Sequence, residues 1–284
     1  MARIVYLNDG FVSEVEARIS IFDRGFLFAD SAYEVTAVLD GKLVCWAEHF
    51  SRLQRSLDAL GIMLPLTEKE LLNLHRELIK KNKLVQGIVY LQVSRGCADR
   101  NFIFSDSMKP TIVLFSQREE LLDKKRLERE LRVVTVPDKR WGRRDIKTTQ
   151  LLYSSMVKTE AKNIGKDDAW LIQDGLVTEG TSNNIFIIDK EKKIITRDLS
   201  NLILAGVTRS TIITFMEQLG LELDERPFTL FEAQSASEAF ITSATNFVTS
   251  VVEIDGKLVA DGKPGPLTKL IRESYISYCF EYAV

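Results

Sequence analysis

Short runs of alternating apolar and polar residues dominate this chain, and helical stripes interrupt them at a few places. Residues 4–7, a turn at Asn8-Asp9-Gly10 and Phe11-Val12 read as a hairpin. Residues 33–39 and 43–46 flank Asp40-Gly41, a pair that tolerates the positive φ a tight hairpin turn requires. Between 48 and 60, Phe50, Leu53, Leu57 and Leu60 recur at helical spacing. That register leaves Arg52 and Arg55 off the apolar stripe, on a face expected to be solvated. Thr67-Glu68-Lys69-Glu70 has the capping-box pattern and predicts a helix to about Asn82. Leu71, Leu74, Leu78 and Ile79 form its core face, and His75 is expected at its surface. Residues 88–94 and 111–115 read as strands.

Residues 118–130 then carry mostly charge of alternating sign, which suits a solvated connector or a short exposed helix. The domain boundary is placed there: a small N-terminal domain at 1–118, a charged linker at 119–130 and a larger domain at 131–284. Beyond the linker, a strand at 131–136 ends at Pro137, and a helix is expected at 151–164. Strands at 169–172 and 176–177 flank Asp174-Gly175, a polar knot fills 178–184, and another strand covers 185–188. Gly206-Val207-Thr208 leads into an amphipathic helix reaching Leu219, with Thr208 as a suitable N-cap. Free N–H groups at such a turn attract anions, although most turns of this kind are simply capped helices. A strand at 239–242 runs into Ser243-Ala244-Thr245-Asn246, a second cluster of small donors. A hairpin turning at Asp255-Gly256 and a closing helix after Pro264 and Pro266 complete the chain. Strands outnumber helices in both halves, and the hairpins exclude a purely parallel sheet. Two α+β domains are therefore expected.

Composition narrows the chemistry more than the fold. With 45% hydrophobic and 27% charged residues, the 284-residue chain is that of a soluble globular protein. A net charge of -2 gives no electrostatic case for nucleic acid or an anionic membrane. Cys45, Cys97 and Cys279 lack the spacing of a disulfide framework or zinc site and suit a reducing cytosol. Only His49 and His75 are present, which weakens any Ser-His-Asp, Cys-His or histidine-metal mechanism. The N-terminus lacks the apolar core of a signal peptide, and no apolar run reaches membrane-spanning length. A cytoplasmic protein without a metal is expected.

Against this background one lysine stands out. Lys147 lies in Arg143-Arg144-Asp145-Ile146-Lys147-Thr148-Thr149-Gln150, at a junction of strand-like and helix-like runs. Nearby cations or burial lower a lysine's pKa and make it a nucleophile or imine partner. Taken alone, each lysine is more often a solvated surface group. Further on, Glu179 sits in the polar knot, where a lone glutamate is most often a solvent-exposed turn residue. A lysine, an acid and two clusters of anion donors are nevertheless the parts that pyridoxal phosphate chemistry needs: an imine former, a partner for the ring nitrogen and a phosphate cradle.

The motifs Asp23-Arg24-Gly25, Tyr33-Glu34-Val35, Glu48-His49-Phe50-Ser51-Arg52-Leu53, Asp145-Ile146-Lys147, Thr178-Glu179-Gly180-Thr181-Ser182-Asn183-Asn184 and Gly206-Val207-Thr208-Arg209 stand in order along nearly the whole length. In this order the chain resembles the class IV (fold type IV) pyridoxal-phosphate aminotransferases, and within them the D-amino-acid aminotransferases. The resemblance implies a two-domain fold type IV enzyme working as a homodimer with pyridoxal 5'-phosphate. Lys147 would hold the cofactor as an imine and shuttle the substrate's Cα proton, and Glu179 would pair with the pyridine nitrogen. Arg52, Val207, Thr208, Ser243 and Ala244 would hold the phosphate, which takes Arg52 off the solvated face. Family members carry a threonine beside that serine, so Ala244 removes one hydroxyl. Tyr33 and Arg100 would bind the substrate carboxylate, and Phe102 stands where a histidine is usual. The implied reaction is ping-pong transfer from a D-amino acid to 2-oxoglutarate or pyruvate. Within the family, branched-chain L-amino acid or (R)-amine transamination and aminodeoxychorismate lyase activity are the alternatives. A non-catalytic small-molecule-binding protein of the same fold is the alternative outside it.

Overall fold

A computed structural model describes residues 2–284 apart from Asp106 and Glu217. Contacts divide the chain into two compact units, Met1–Glu120 with Ile146–Gln150 and Cys279–Val284, and Leu121–Asp145 with Leu151–Tyr278. The division is therefore not a single cut in the charged stretch, because the lysine segment groups with the first unit.

The first unit is built on β1 (Ile4–Leu7), β2 (Gly10–Ser13), α1 (Arg24–Phe28), β3 (Ser31–Leu39), β4 (Lys42–Leu43), α2 (Trp46–Leu60), α3 (Glu68–Asn82), β5 (Gly87–Ser94) and β6 (Thr111–Arg118). Its strands form one antiparallel sheet in the order β2-β1-β6-β5-β3-β4. Asp40 and Gly41 both take positive φ at the β3–β4 turn, 50° and 75°, as the sequence requires. The helices close the core: Leu53 and Leu57 of α2 and Leu71 and Leu78 of α3 join Val89, Leu91, Val93 and Leu114 of the sheet. Each such side chain, fully removed from water, contributes about 1.5–3 kcal/mol before chain entropy is subtracted.

Both sides of the capping box at α3 form: Thr67 Oγ1 accepts from the Glu70 N–H, and the Glu70 carboxylate accepts from the Thr67 N–H at 2.8 Å. His75 departs from expectation. It is buried, its Nδ1–H donates to the Leu71 carbonyl, and its ring meets Trp46 edge-on at 4.6 Å. Helical spacing set it beside Leu71 and Leu78, and a neutral imidazole with one satisfied donor fits that core.

The second unit comprises α4 (Lys124–Leu127), β7 (Leu131–Pro137), α5 (Leu152–Asn163), β8 (Asp168–Gln173), β9 (Leu176–Gly180), β10 (Asn184–Ile188), β11 (Ile194–Thr196), α6 (Val207–Met216), β12 (Leu223–Glu225), α7 (Leu230–Ser235), β13 (Glu238–Ser243), β14 (Phe247–Ile254), β15 (Lys257–Leu258) and α8 (Pro266–Tyr282). Its mixed sheet runs β12-β11-β10-β13-β14-β7-β8-β9, with β15 beside β14. The pairs β11–β12, β14–β7 and β7–β8 are parallel. The rest are antiparallel, as hairpins except for β10–β13, which are distant in sequence. All five residues of β10 are buried, so this strand reads as an apolar run rather than an alternation. The charge-rich stretch holds the short helix α4, with Asp123 capping it at the Arg126 N–H, but Leu121 is fully buried. No helix among the described residues is long and apolar enough to cross a membrane.

Candidate active site

In the first unit the lysine is placed by backbone pairing rather than by a strand–helix junction. Residues 146–150 leave the β7–α5 connection and lie along the start of β3. The Tyr33 N–H donates to the Lys147 carbonyl at 3.0 Å, Ala32 and Thr148 form an antiparallel bridge, and the Thr149 N–H donates to the Ser31 carbonyl. The hydroxyls of Ser31 and Thr149 meet at 2.5 Å, and Ser56 of α2 accepts from the Lys147 N–H at 3.3 Å. Lys147 is only partly buried, with its Nζ 4.2 Å from the Tyr33 ring centroid. Tyr33 stacks on Tyr90, which stacks on Phe115, so the amine faces an aromatic row on the sheet.

Successive strand residues point to opposite faces, so Glu34 turns toward α2 while Tyr33 turns away. Arg52 is 6% exposed and grips Glu34 with both arms, Nε at 2.8 Å and Nη2 at 2.7 Å. His49 donates from Nδ1 to the same carboxylate at 2.7 Å. Periodicity alone put Arg52 in solvent. The helix instead lies against β3, and a buried carboxylate there needs a cation. Burial disfavours charge on Glu34, but Arg52 and His49 outweigh it and hold the carboxyl well below the usual range. Burial lowers the His49 pKa, and the positive charges of Arg52 and Lys147 lower it further against the pull of Glu34.

Arg100 lies apart from this group. It is exposed, with its guanidinium 5.5 Å from the Phe28 ring and 5.4 Å from that of Phe102. The loop bearing it is fastened at its base, where Asp30 accepts from both Arg24 and Arg95, and Arg24 donates to the Asn101 carbonyl at 2.6 Å.

The second unit holds the acid. Glu179, near the end of β9, is 4% exposed rather than a solvated turn residue. Arg140 donates to its Oε1 at 2.5 Å, while Asn184 and the Leu204 N–H each donate to Oε2 at 3.1 Å. Burial raises its pKa above the ordinary glutamate value, and Arg140 and the Leu204 N–H oppose that rise. Asn184 also donates to the Leu204 carbonyl at 2.9 Å and packs against Gly206. A Cβ on Gly206 would lie 2.0 Å from Asn184 Oδ1, so only glycine fits between the asparagine and the start of α6. The Ser210 N–H donates to the Gly206 carbonyl at 3.0 Å, which opens the helix there. Amides in a helix's first turn lack partners within the helix. Val207 and Thr208 therefore stand at the head of α6, one asparagine away from Glu179. Thr208 lies inside the helix rather than capping it, and its hydroxyl meets Tyr275 Oη at 3.2 Å. Ser243 ends β13, where its Oγ accepts from the Asn246 N–H at 3.1 Å, and Ala244 follows in the turn.

The parts played by Arg140, Asn184, Glu34 and His49 are not legible in the sequence. Arg140 follows Asp138 directly after a strand, a charged pair where the chain leaves the sheet, and that was its one local signal. The pairing of Glu34 with Arg52 spans 18 residues and has none.

Both units hold donors that suit a phosphorylated pyridine. An amine is pinned by its backbone, an arginine is locked by a carboxylate, a buried acid stands in a fixed cradle, and a helix start is kept clear by glycine. Comparison with known proteins agrees. The family model for class IV amino-transferases matches residues 31–254. A D-alanine aminotransferase of Bacillus licheniformis is 37% identical over 268 residues, 94% of each chain. One from Staphylococcus haemolyticus is 37% identical over 96% of this chain and 97% of its own. The branched-chain amino acid aminotransferase of Escherichia coli has the same fold, with a TM-score of 0.90 at 21% identity over 98% of this chain and 95% of that one. That of Thermoproteus uzoniensis, solved with norvaline, gives 0.88 at 25% identity over 99% and 96%. With a family model across most of its length and relatives above one-third identity, this chain belongs to the class IV aminotransferases.

Proposed function

We propose that this enzyme moves the amino group of a D-amino acid to a 2-oxo acid, 2-oxoglutarate or pyruvate, in a ping-pong cycle. The observation that carries this reading is the 37% identity to D-alanine aminotransferases over nearly the full length of the chain. Its cofactor is pyridoxal 5'-phosphate, which draws electrons from the substrate's Cα and carries the amino group between half-reactions.

The chain's own residues do the rest. Lys147 Nζ would hold the cofactor covalently and, as a free amine, would be the base that moves the substrate's Cα proton. The backbone bonds to β3 and Ser56 hold it in reach with little conformational freedom to lose. Glu179 would accept the ring N–H and stabilise positive charge there. Arg52, kept in one orientation by Glu34, supplies a fixed cation to the phosphate. The amides of Val207 and Thr208, the Ser243 hydroxyl and the Ala244 N–H complete that cradle, with one hydroxyl fewer than a threonine at 244 would give. Tyr33 would contact the substrate carboxylate; Arg100 stands apart from Tyr33 in this chain, and its exposed guanidinium would supply the two parallel bonds that a carboxylate accepts. Phe102 adds no donor, so that arginine carries most of the recognition.

The protein works as a homodimer in the cytoplasm. Exposed apolar side chains that a partner could cover support the dimer: Ile21, Phe26, Phe102 and Ile103 are each at least two-thirds exposed. Assays with D-alanine, an L-branched-chain amino acid and (R)-phenylethylamine, each against 2-oxoglutarate, test the substrate. D-alanine turnover is expected, and turnover of the L-amino acid alone would overturn the assignment.

A further inference from the structure

We propose that Arg140 is a positioning residue whose charge keeps Glu179 an anion in its dry setting, so that the carboxylate is ready to accept a ring N–H before any ligand arrives. This rests on the reading that Glu179 faces the cofactor's nitrogen. The case is geometric. Arg140 is clamped on one side by Asp138, with Nε at 3.0 Å from Oδ1 and Nη2 at 2.7 Å from Oδ2. Its remaining arm donates to Glu179 at 2.5 Å. Asp138 is itself fixed by the Thr178 hydroxyl at 2.8 Å, and Thr178 is the neighbour of Glu179 on β9.

The charges around Glu179 form a balanced set. Asp138 and Glu179 supply two negatives. Arg140 and Arg144, whose Nη1 stands 3.5 Å from Asp138, supply two positives. The neutral donors Asn184 and Leu204 N–H complete the shell. Removing the Arg140 charge leaves two buried carboxylates with one cation. A buried carboxyl in that position takes up a proton rather than remain charged. A protonated Glu179 has its proton where the pyridine nitrogen must place its own, and it would donate to that nitrogen instead of accepting from it. Arg140 acts on the reaction through Glu179, and its clamp on Asp138 keeps the guanidinium from turning away.

The test uses full-length protein free of cofactor, labelled with 13C at the glutamate carboxyl carbons, with Glu179→Gln identifying the resonance. In the wild type Glu179 is expected to be ionised at pH 7. Arg140→Gln keeps an N–H donor but loses the charge, and should move the Glu179 midpoint up by at least about one pH unit. Arg140→Lys keeps the charge and should move it by less than half as much. A protonated Glu179 in the wild type, an unmoved midpoint in Arg140→Gln, or equal shifts in both variants would each overturn the proposal. Adding pyridoxal phosphate separates it from the reading beneath it. If the Arg140 effects hold but the Glu179 resonance ignores the cofactor, the ring-nitrogen assignment fails and the role of Arg140 stands.

Discussion

Single residues in this enzyme are set by what surrounds them more than by their type. Gly206 shows it most sharply. In sequence it is a turn residue before a helix, yet the structure needs it because Asn184 occupies the space a side chain would take. Gly206→Ala is therefore expected to push Asn184 off Glu179 and disturb the head of α6. Its affinity for pyridoxal phosphate should fall by about tenfold or more, equivalent to one or two lost hydrogen bonds to a charged group. Equilibrium dialysis or fluorescence titration reads this directly, and an unchanged affinity would remove Asn184 from the account. Glu179→Gln probes the acid itself. It keeps the size and loses the charge, so kcat is expected to fall on the order of 10²-fold while the fold, followed by circular dichroism, is kept. The polar knot around residue 179 was visible in the sequence. The burial of Glu179 and its three donors was not, because they come from residues 140, 184 and 204 and only the folded sheet joins them.

At the level of elements, what is local was legible and what is distant was not. The Asp-Gly hairpins and the Thr67 capping box form as their sequences specify, since a few adjacent residues decide each of them. Thr67→Ala should lower stability by about 1 kcal/mol in urea unfolding without changing activity. The short strands β11 and β12 and the helices α1 and α7 have too few residues to show a period. The surface placement of His75 failed because periodicity fixes which face a residue is on, not how wide the buried stripe is. Its burial pushes the imidazole pKa down from 6.5 to about 4. The unfolded chain therefore takes up this proton first as pH falls. The His75 contribution is whole above pH 6.5 and is lost between there and pH 4, up to about 3 kcal/mol. His49, also lowered, adds in the same direction. Urea midpoints at pH 7 and pH 4.5 should show the loss, and His75→Phe should make that dependence shallower. An equal slope in the variant would contradict the buried, neutral histidine.

Over the whole molecule, order along the chain and membership in a unit part company at the place that matters most. The charge-rich stretch at 118–130 looks like a border, yet residues 146–150 return to β3 of the first unit and carry Lys147 with them. No hydrophobic pattern encodes that excursion, because its bonds are backbone amides and three hydroxyls, those of Ser31, Thr149 and Ser56. Replacing Thr149 by Val, which removes the 2.5 Å contact with Ser31, should loosen the segment and lower kcat several-fold, with stability reduced by about 1 kcal/mol. A variant with wild-type kcat would show that the pairing does not position the amine. The enzyme's chemistry depends on which amine takes the cofactor. The most direct test is to incubate the protein with pyridoxal phosphate, reduce with borohydride, digest, and map the modified peptide by mass spectrometry. One pyridoxyl group on Lys147, absent in Lys147→Ala, is the predicted result; a label on another lysine, or none in the wild type, would contradict it.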